Sequence, residues 1–123
     1  MLHELIQDAI EQQNKLGGID VSKLRPPVRI EVETHNSTYM MDVLDSGQVR
    51  VIGGKYLLEA KDLIFVGSTW GGSMIRPDWI GFGMSMEFHN PTNSKICLVT
   101  STVKNAKVMG PTWQYDMEWP TRI

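Results

Sequence analysis

Apolar and polar residues alternate over much of this chain with the period of a β-strand. Between residues 79 and 88, large apolar side chains alternate with glycine, serine and glutamate, which places the apolar set on one face of a single predicted strand. Glycine inside a strand marks a bend or a close approach of another group. The glycines on the opposite face therefore indicate that the strand is curved or that a ligand or another backbone approaches it. The apolar positions are Ile80, Phe82, Met84, Met86 and Phe88.

The same alternation, with turn residues between the runs, predicts further strands. We expect them over residues 28–33, 38–44, 48–52, 63–66 and 95–104, with a helical turn at residues 57–60. Short connections favour antiparallel pairing, because a parallel sheet needs a helix between strands. The predicted fold is therefore mainly β, a small antiparallel barrel or sandwich of about six strands over residues 28–108.

The two ends of the chain follow other patterns. Residues 1–18 show helical periodicity closed by two glycines and predict an N-terminal amphipathic helix, joined by a connector over residues 19–27. Residues 109–123 carry Trp113 and Trp119, and each tryptophan buries on the order of 200 Å² when it packs, so this segment predicts a docking tail. Both ends pack on their own β domain or clasp a neighbouring subunit, and the second alternative predicts a homo-oligomer.

Composition narrows the class of protein. The length of 123 residues suits one domain, and a formal net charge of −2 gives no electrostatic reason to bind nucleic acid or an anionic membrane. No apolar run approaches a membrane span, and the first ten residues do not form a secretory signal. We expect a cytoplasmic protein of bacterial or phage origin.

A hydroxyl-rich glycine loop over residues 67–73 is the predicted ligand site. Its backbone amides could hold a phosphate or carboxylate, Arg76 could add a charged fork, and Trp70 offers a stacking face. We expect the side chains of a neighbouring turn to lie close by, and a hairpin loop of this composition that binds nothing remains the alternative. The predicted ligand-binding residues are Ser68, Thr69, Trp70, Gly71, Gly72, Ser73, Arg76, His35 and Tyr39, with Ser37 and Thr38 as further neighbours.

No catalytic, cofactor or metal site is predicted. The three histidines lie far apart, which disfavours a zinc site, although His35 and His89 stand at strand ends and could form an acid/base pair with a nearby carboxylate. Cys97 lies in an apolar run and is predicted to be a buried, unreactive thiol. Charged residues at strand positions are interpreted as a solvated face, namely Arg29, Glu31, Glu33, Lys104 and Lys107.

The functional hypothesis is binding without catalysis of a small anionic or nucleotide-like ligand at the glycine loop. The alternative is a scaffold or accessory protein that acts through its helix and aromatic tail, and a hydrolase using His35 or His89 ranks third. Four motifs together resemble those of short bacterial proteins without an assigned activity: Asn36-Ser37-Thr38-Tyr39, Val43-Leu44-Asp45-Ser46-Gly47, Gly67 to Met74, and Trp79-Ile80-Gly81. The resemblance covers residues 29–104 and implies only a self-standing β core with additions at both ends.

Overall fold

The fold is described from a computed structural model, which covers residues 17–44, 47–55, 57–70 and 75–111. These residues are mainly β, as predicted, and include one short 3-10 helix at Val21–Lys23. The strands are β1 Gly18–Asp20, β2 Val28–Thr34, β3 Thr38–Val43, β4 Gln48–Gly53, β5 Leu57–Thr69, β6 Ile75–Pro77, β7 Trp79–Gly81, β8 Ser85–Asn90 and β9 Asn93–Pro111.

Six of these strands pair in a closed ring. The order is β4, β3, β2, β9, β8 and β5, and β5 pairs back onto β4, with every neighbour antiparallel. Strand β6 pairs with the last residues of β5 on the edge opposite β8, and β1 pairs with β7 in a separate two-stranded sheet. The long strands β5 and β9 each serve two partners in succession, which lets a ring close with short connections.

The alternation in β2, β3 and β4 puts one set of side chains inside this ring. Ile30, Val32, Met41, Val49 and Val51 have no exposed surface at all and join the central apolar cluster. The meander was predictable because each of these strands pairs with its neighbour in sequence across a short turn.

The prediction of one strand over residues 79–88 is wrong in one respect. The segment forms β7 and β8, separated by a turn in which the Met84 N–H donates to the Gly81 carbonyl over 3.1 Å and Gly83 takes a φ of +86°. The positive φ suits glycine and breaks the strand. The predicted apolar face is nevertheless buried, with Phe82 alone partly exposed.

The predicted helical turn at residues 57–60 is also wrong. These residues begin β5, which runs thirteen residues to Thr69 and absorbs the predicted short strand at residues 63–66. Pairing with β4 supplies hydrogen-bond partners to the first half of β5, and pairing with β8 supplies them to the second half. Such tertiary pairing overrides weak local preference.

The chain entering the ring packs against it. Val21 belongs to the central apolar cluster, and its N–H donates to the Asp78 carbonyl over 2.7 Å. Strand β1 lies at the start of the predicted connector. Its partner β7 is remote in sequence, so no local pattern indicated this pairing. The predicted helix falls almost wholly on residues 1–16, outside the described residues, while Gly18 starts β1. The aromatic tail beyond Pro111 is likewise outside them.

A row of alternating charges crosses the outer face of four strands. Arg29 on β2 binds Asp42 on β3 through two bonds of 2.8 and 3.0 Å, and Arg50 on β4 binds Asp62 on β5 through bonds of 2.8 and 3.2 Å. The Asp62 carboxylate raises the pKa of Arg50 above its ordinary value. Arg29 is buried, so its assignment to a solvated face is wrong; the paired carboxylate permits that burial.

Candidate functional site

The turn between β2 and β3 is held by its own side chains. The Thr34 N–H donates to the Ser37 carbonyl over 2.7 Å. Thr34 Oγ1 donates to the same carbonyl over 3.0 Å and accepts the Ser37 N–H over 3.1 Å. Because Thr34 is buried, these bonds form away from competing water and fix the shape of the turn.

Strand β9 fastens this turn to the ring. Ser101 Oγ donates to Thr34 Oγ1 over 2.8 Å and accepts the Asn36 N–H over 3.0 Å. The His35 N–H donates to the Thr102 carbonyl over 2.9 Å. Residues remote in sequence thus hold the backbone of the turn in one position.

Two irregularities in β9 make this arrangement possible. The pairing of β8 with β9 shifts register just before Thr102, next to Ser101. The pairing of β2 with β9 shifts again, so that Val103 and Asn105 face consecutive residues of β2 and Lys104 is the extra residue of a β-bulge. Bulges redirect side chains, and here Lys104 borders the β2–β3 turn.

The turn and the bulge border an open polar cavity of about 470 Å³, which we call the end cavity. This volume lies within the range of small-ligand sites. A carboxylate, an ammonium group, an imidazole, an amide and hydroxyls border it, so it offers both donors and acceptors. The lining residues are Glu33, Thr34, His35, Asn36, Ser37, Thr38, Gly54 and Lys104.

Tyr39 supports the end cavity from the interior side. Its side chain is buried, and a Cβ added to Gly54 would stand 2.6 Å from the phenol oxygen. Burial raises the pKa of Tyr39 by disfavouring the phenolate, and a hydrogen bond with Ser37 opposes this rise. Glycine at residue 54 therefore leaves room for the phenol beneath the lining residues.

The predicted glycine loop is partly a strand. Ser68 and Thr69 lie in β5 with no exposed surface. The Ser68 hydroxyl donates to the Trp79 carbonyl and accepts the Gly81 N–H over 2.8 Å, so it joins β5 to β7. The loop assignment of these residues is therefore wrong, because pairing with β6 and β8 extends β5 through them.

The remaining members of the predicted site lie in mixed surroundings. Arg76 lies in β6 with its guanidinium carbon 4.0 Å from the ring centroid of Trp79, a cation–π contact. Trp70 is half-buried at the end of β5, and residues 71–73 fall outside the described residues. Strands β8 and β9 lie between this segment and His35, since Thr69 pairs with Ser85, Ser85 with Thr102, and Thr102 accepts the His35 N–H.

The two histidines at strand ends do not meet either. The His35 backbone binds Thr102, whereas His89 lies opposite Cys97 further along β9 and binds the buried Glu87 carboxylate through Nε2 over 2.8 Å. The prediction of a buried thiol at Cys97 is wrong, since that side chain is exposed. It belongs to the part of β9 that extends beyond the pairing with β2.

Sequence reasoning missed two charged residues of the end cavity, Glu33 and Lys104, which it placed on a solvated face. Two oppositely charged residues so far apart in the sequence carry no local signal, because only the pairing of β2 with β9 and its bulge bring Lys104 to the turn. The hydroxyl-rich turn itself, Asn36 to Thr38, was visible in the sequence.

Two further findings bear on the class of protein. The described part of the chain contains no group of three or more His, Cys, Asp or Glu side chains placed to bind a metal ion, and within it no helix is long and apolar enough to span a membrane. Compared with models of known families, with curated proteins and with solved structures, the chain matches none.

Proposed function

We propose that this protein is a binding module that holds a small charged ligand in the end cavity without transforming it. The observation that carries the proposal is the combination of a cavity of about 470 Å³ with a turn whose backbone is fixed by Thr34 and Ser101. Binding to a preformed site avoids the entropic cost of ordering a loop.

The rest of the ring suits a supporting role. We propose that the six-stranded ring is a small barrel, because its interior is filled by fully buried apolar side chains rather than open to a ligand. In small barrels of this kind side chains fill the centre, and sites form at the strand ends. The ligand then lies outside the core, at the β2–β3 turn, and its loss does not unfold the protein.

A thermal-shift screen of the 123-residue chain against amino acids, sugar phosphates and nucleotides tests the proposal. A ligand at about 100 times its Kd raises the free energy of unfolding by roughly 2.7 kcal/mol and raises Tm accordingly. We expect at least one class to raise Tm, and Lys104→Ala to abolish the increase. Lys107→Ala is the matched control, since it removes an exposed lysine from the same strand without touching the end cavity.

The same screen distinguishes the end cavity from the glycine-rich segment, by which we mean residues 67–76. Trp70→Ala and Arg76→Ala leave the ligand-induced rise in Tm intact if the end cavity is the site. A rise that these two variants abolish and Lys104→Ala preserves would contradict the proposal and restore the segment first predicted from the sequence.

Protein–protein contact is the second candidate function, and one observation favours it. Leu58 and Ile96 are more than half exposed although both lie in strands, and Ile96 borders an apolar cavity of about 320 Å³ between β5 and the hairpin of β8 and β9. Exposed apolar patches mark contact sites. Molar mass measured in solution for the whole chain, and for chains lacking residues 1–16 or 112–123, tests this role: a monomer in all three counts against it.

A further inference from the structure

Two opposite charges border the end cavity without neutralising each other. Glu33 precedes the turn on β2, and Lys104 is the bulge residue of β9. Both side chains are exposed, and no ion pair joins them within the part of the chain that the structure describes. Because Lys104 lies beside the register partner of Glu33 on the neighbouring strand, the cavity offers a carboxylate and an ammonium group side by side.

We propose that the ligand of the end cavity is a small zwitterion, with an ammonium group bound by Glu33 and a carboxylate bound by Lys104. This inference rests on the proposed function and specifies its ligand class. A purely anionic ligand would gain from Lys104 but would be repelled by Glu33, and a purely cationic ligand would meet the reverse. A zwitterion satisfies both charges and pairs each with an opposite one.

The other polar groups of the cavity suit the same ligand. Hydrogen-bonding side chains of Asn36, Ser37 and Thr38 line the same cavity, on the turn that follows Glu33. They can hydrogen-bond the carboxylate and the ammonium group of the ligand, because amide and hydroxyl groups both donate and accept. The main-chain bonds of the turn hold their backbone in place before the ligand arrives.

A series of straight-chain ω-amino carboxylates, beginning with glycine and lengthened one methylene at a time, tests the inference. Each member is compared with the carboxylate and the amine of the same chain length by isothermal titration of the whole protein. We expect one or two zwitterions to bind about tenfold more tightly than either singly charged analogue. Glu33→Gln and Lys104→Met should each reduce that affinity by about tenfold.

Matched controls exist on the same two strands. Glu31→Gln and Lys107→Met remove exposed charges that do not border the end cavity, so both should leave the affinity unchanged. The double exchange Glu33→Lys with Lys104→Glu should restore part of the affinity lost in either single exchange, since a zwitterion can bind in the opposite orientation.

Two outcomes would overturn the inference, and they differ in what they leave standing. Carboxylates that bind as tightly as the zwitterions, with Glu33→Gln unchanged, would make this an anion site and leave the proposed function intact. A whole series that fails to bind overturns the zwitterion, and if the thermal-shift screen also yields no compound sensitive to Lys104→Ala, the proposed function fails with it.

Discussion

Two hydroxyl-rich segments of this chain have opposite fates. In the glycine-rich segment, the hydroxyl group of Ser68 is fully buried and binds the backbone of β7. In the β2–β3 turn, the side chains of Ser37 and Thr38 border an open polar cavity. A hydroxyl group is therefore available to a ligand only where the fold has not already used it to satisfy buried backbone groups.

The largest expected effect concerns the close packing of the glycine-rich segment. A Cβ at Gly67 would overlap the Arg76 carbonyl, and its φ of +145° already disfavours other residues. We expect Gly67→Ala to lower the free energy of unfolding by about 3 kcal/mol or more, measured by urea denaturation. Gly47→Ala is the control, because Gly47 also has a positive φ but no atom stands within 4 Å of the added Cβ. Its expected cost is roughly 1 kcal/mol, and equal losses would show that strain rather than close approach decides the effect.

The second prediction compares the two serines directly. Ser68→Ala removes both bonds of a fully buried hydroxyl and should lower the free energy of unfolding by about 2–3 kcal/mol. Ser37→Ala removes a partly exposed hydroxyl and its hydrogen bond with Tyr39, while the main-chain bonds of Ser37 with Thr34 remain, and should cost about 1 kcal/mol. Urea denaturation of the two variants checks the order, and a Ser37 variant as unstable as the Ser68 variant would erase the distinction between the segments.

The smallest expected effect is a pH dependence of the free energy of unfolding, caused by Tyr39 beneath the end cavity. Burial in the folded protein raises the pKa of Tyr39 above its ordinary value of 10.0, so above that pH the unfolded chain loses the phenol proton first. The folded state then binds more protons, and stability must fall as the pH rises from about 10 toward the folded pKa. Urea denaturation at pH 9 and at higher pH checks this fall for the natural chain. Tyr39→Phe has no proton to lose, so its curve should decline less; parallel curves would refute the assignment.

The strands that pair with their neighbours in sequence were predictable, and the strands whose limits depend on remote partners were not. Strands β2, β3 and β4 pair with neighbours in sequence, so alternation and turn residues sufficed to predict them. The break between β7 and β8 and the full length of β5 depend on partners elsewhere in the chain. Prediction from the local pattern therefore merged β7 and β8 into one strand and divided β5 into separate elements.

The candidate site shows the same limit. The turn of Asn36, Ser37 and Thr38 was visible as a cluster of turn-forming residues, and His35 was among the residues predicted to bind a ligand. The bond from Ser101 to Thr34 joins residues 67 positions apart, and the bulge at Lys104 exists only because β9 pairs with β2. Without knowledge of which strands pair, the sequence does not place Ser101 or Lys104 at the turn.

Backbone amide chemical shifts of the isotope-labelled chain, recorded while the compound with the largest thermal shift is titrated in, test the account most directly. We predict saturable shifts at Asn36, Ser37, Thr38, Gly54 and Lys104, with the amides of Ser68 and Gly81 unmoved. Shifts concentrated at Trp70 and Arg76, with those of the β2–β3 turn unchanged, would contradict the end cavity as the binding site.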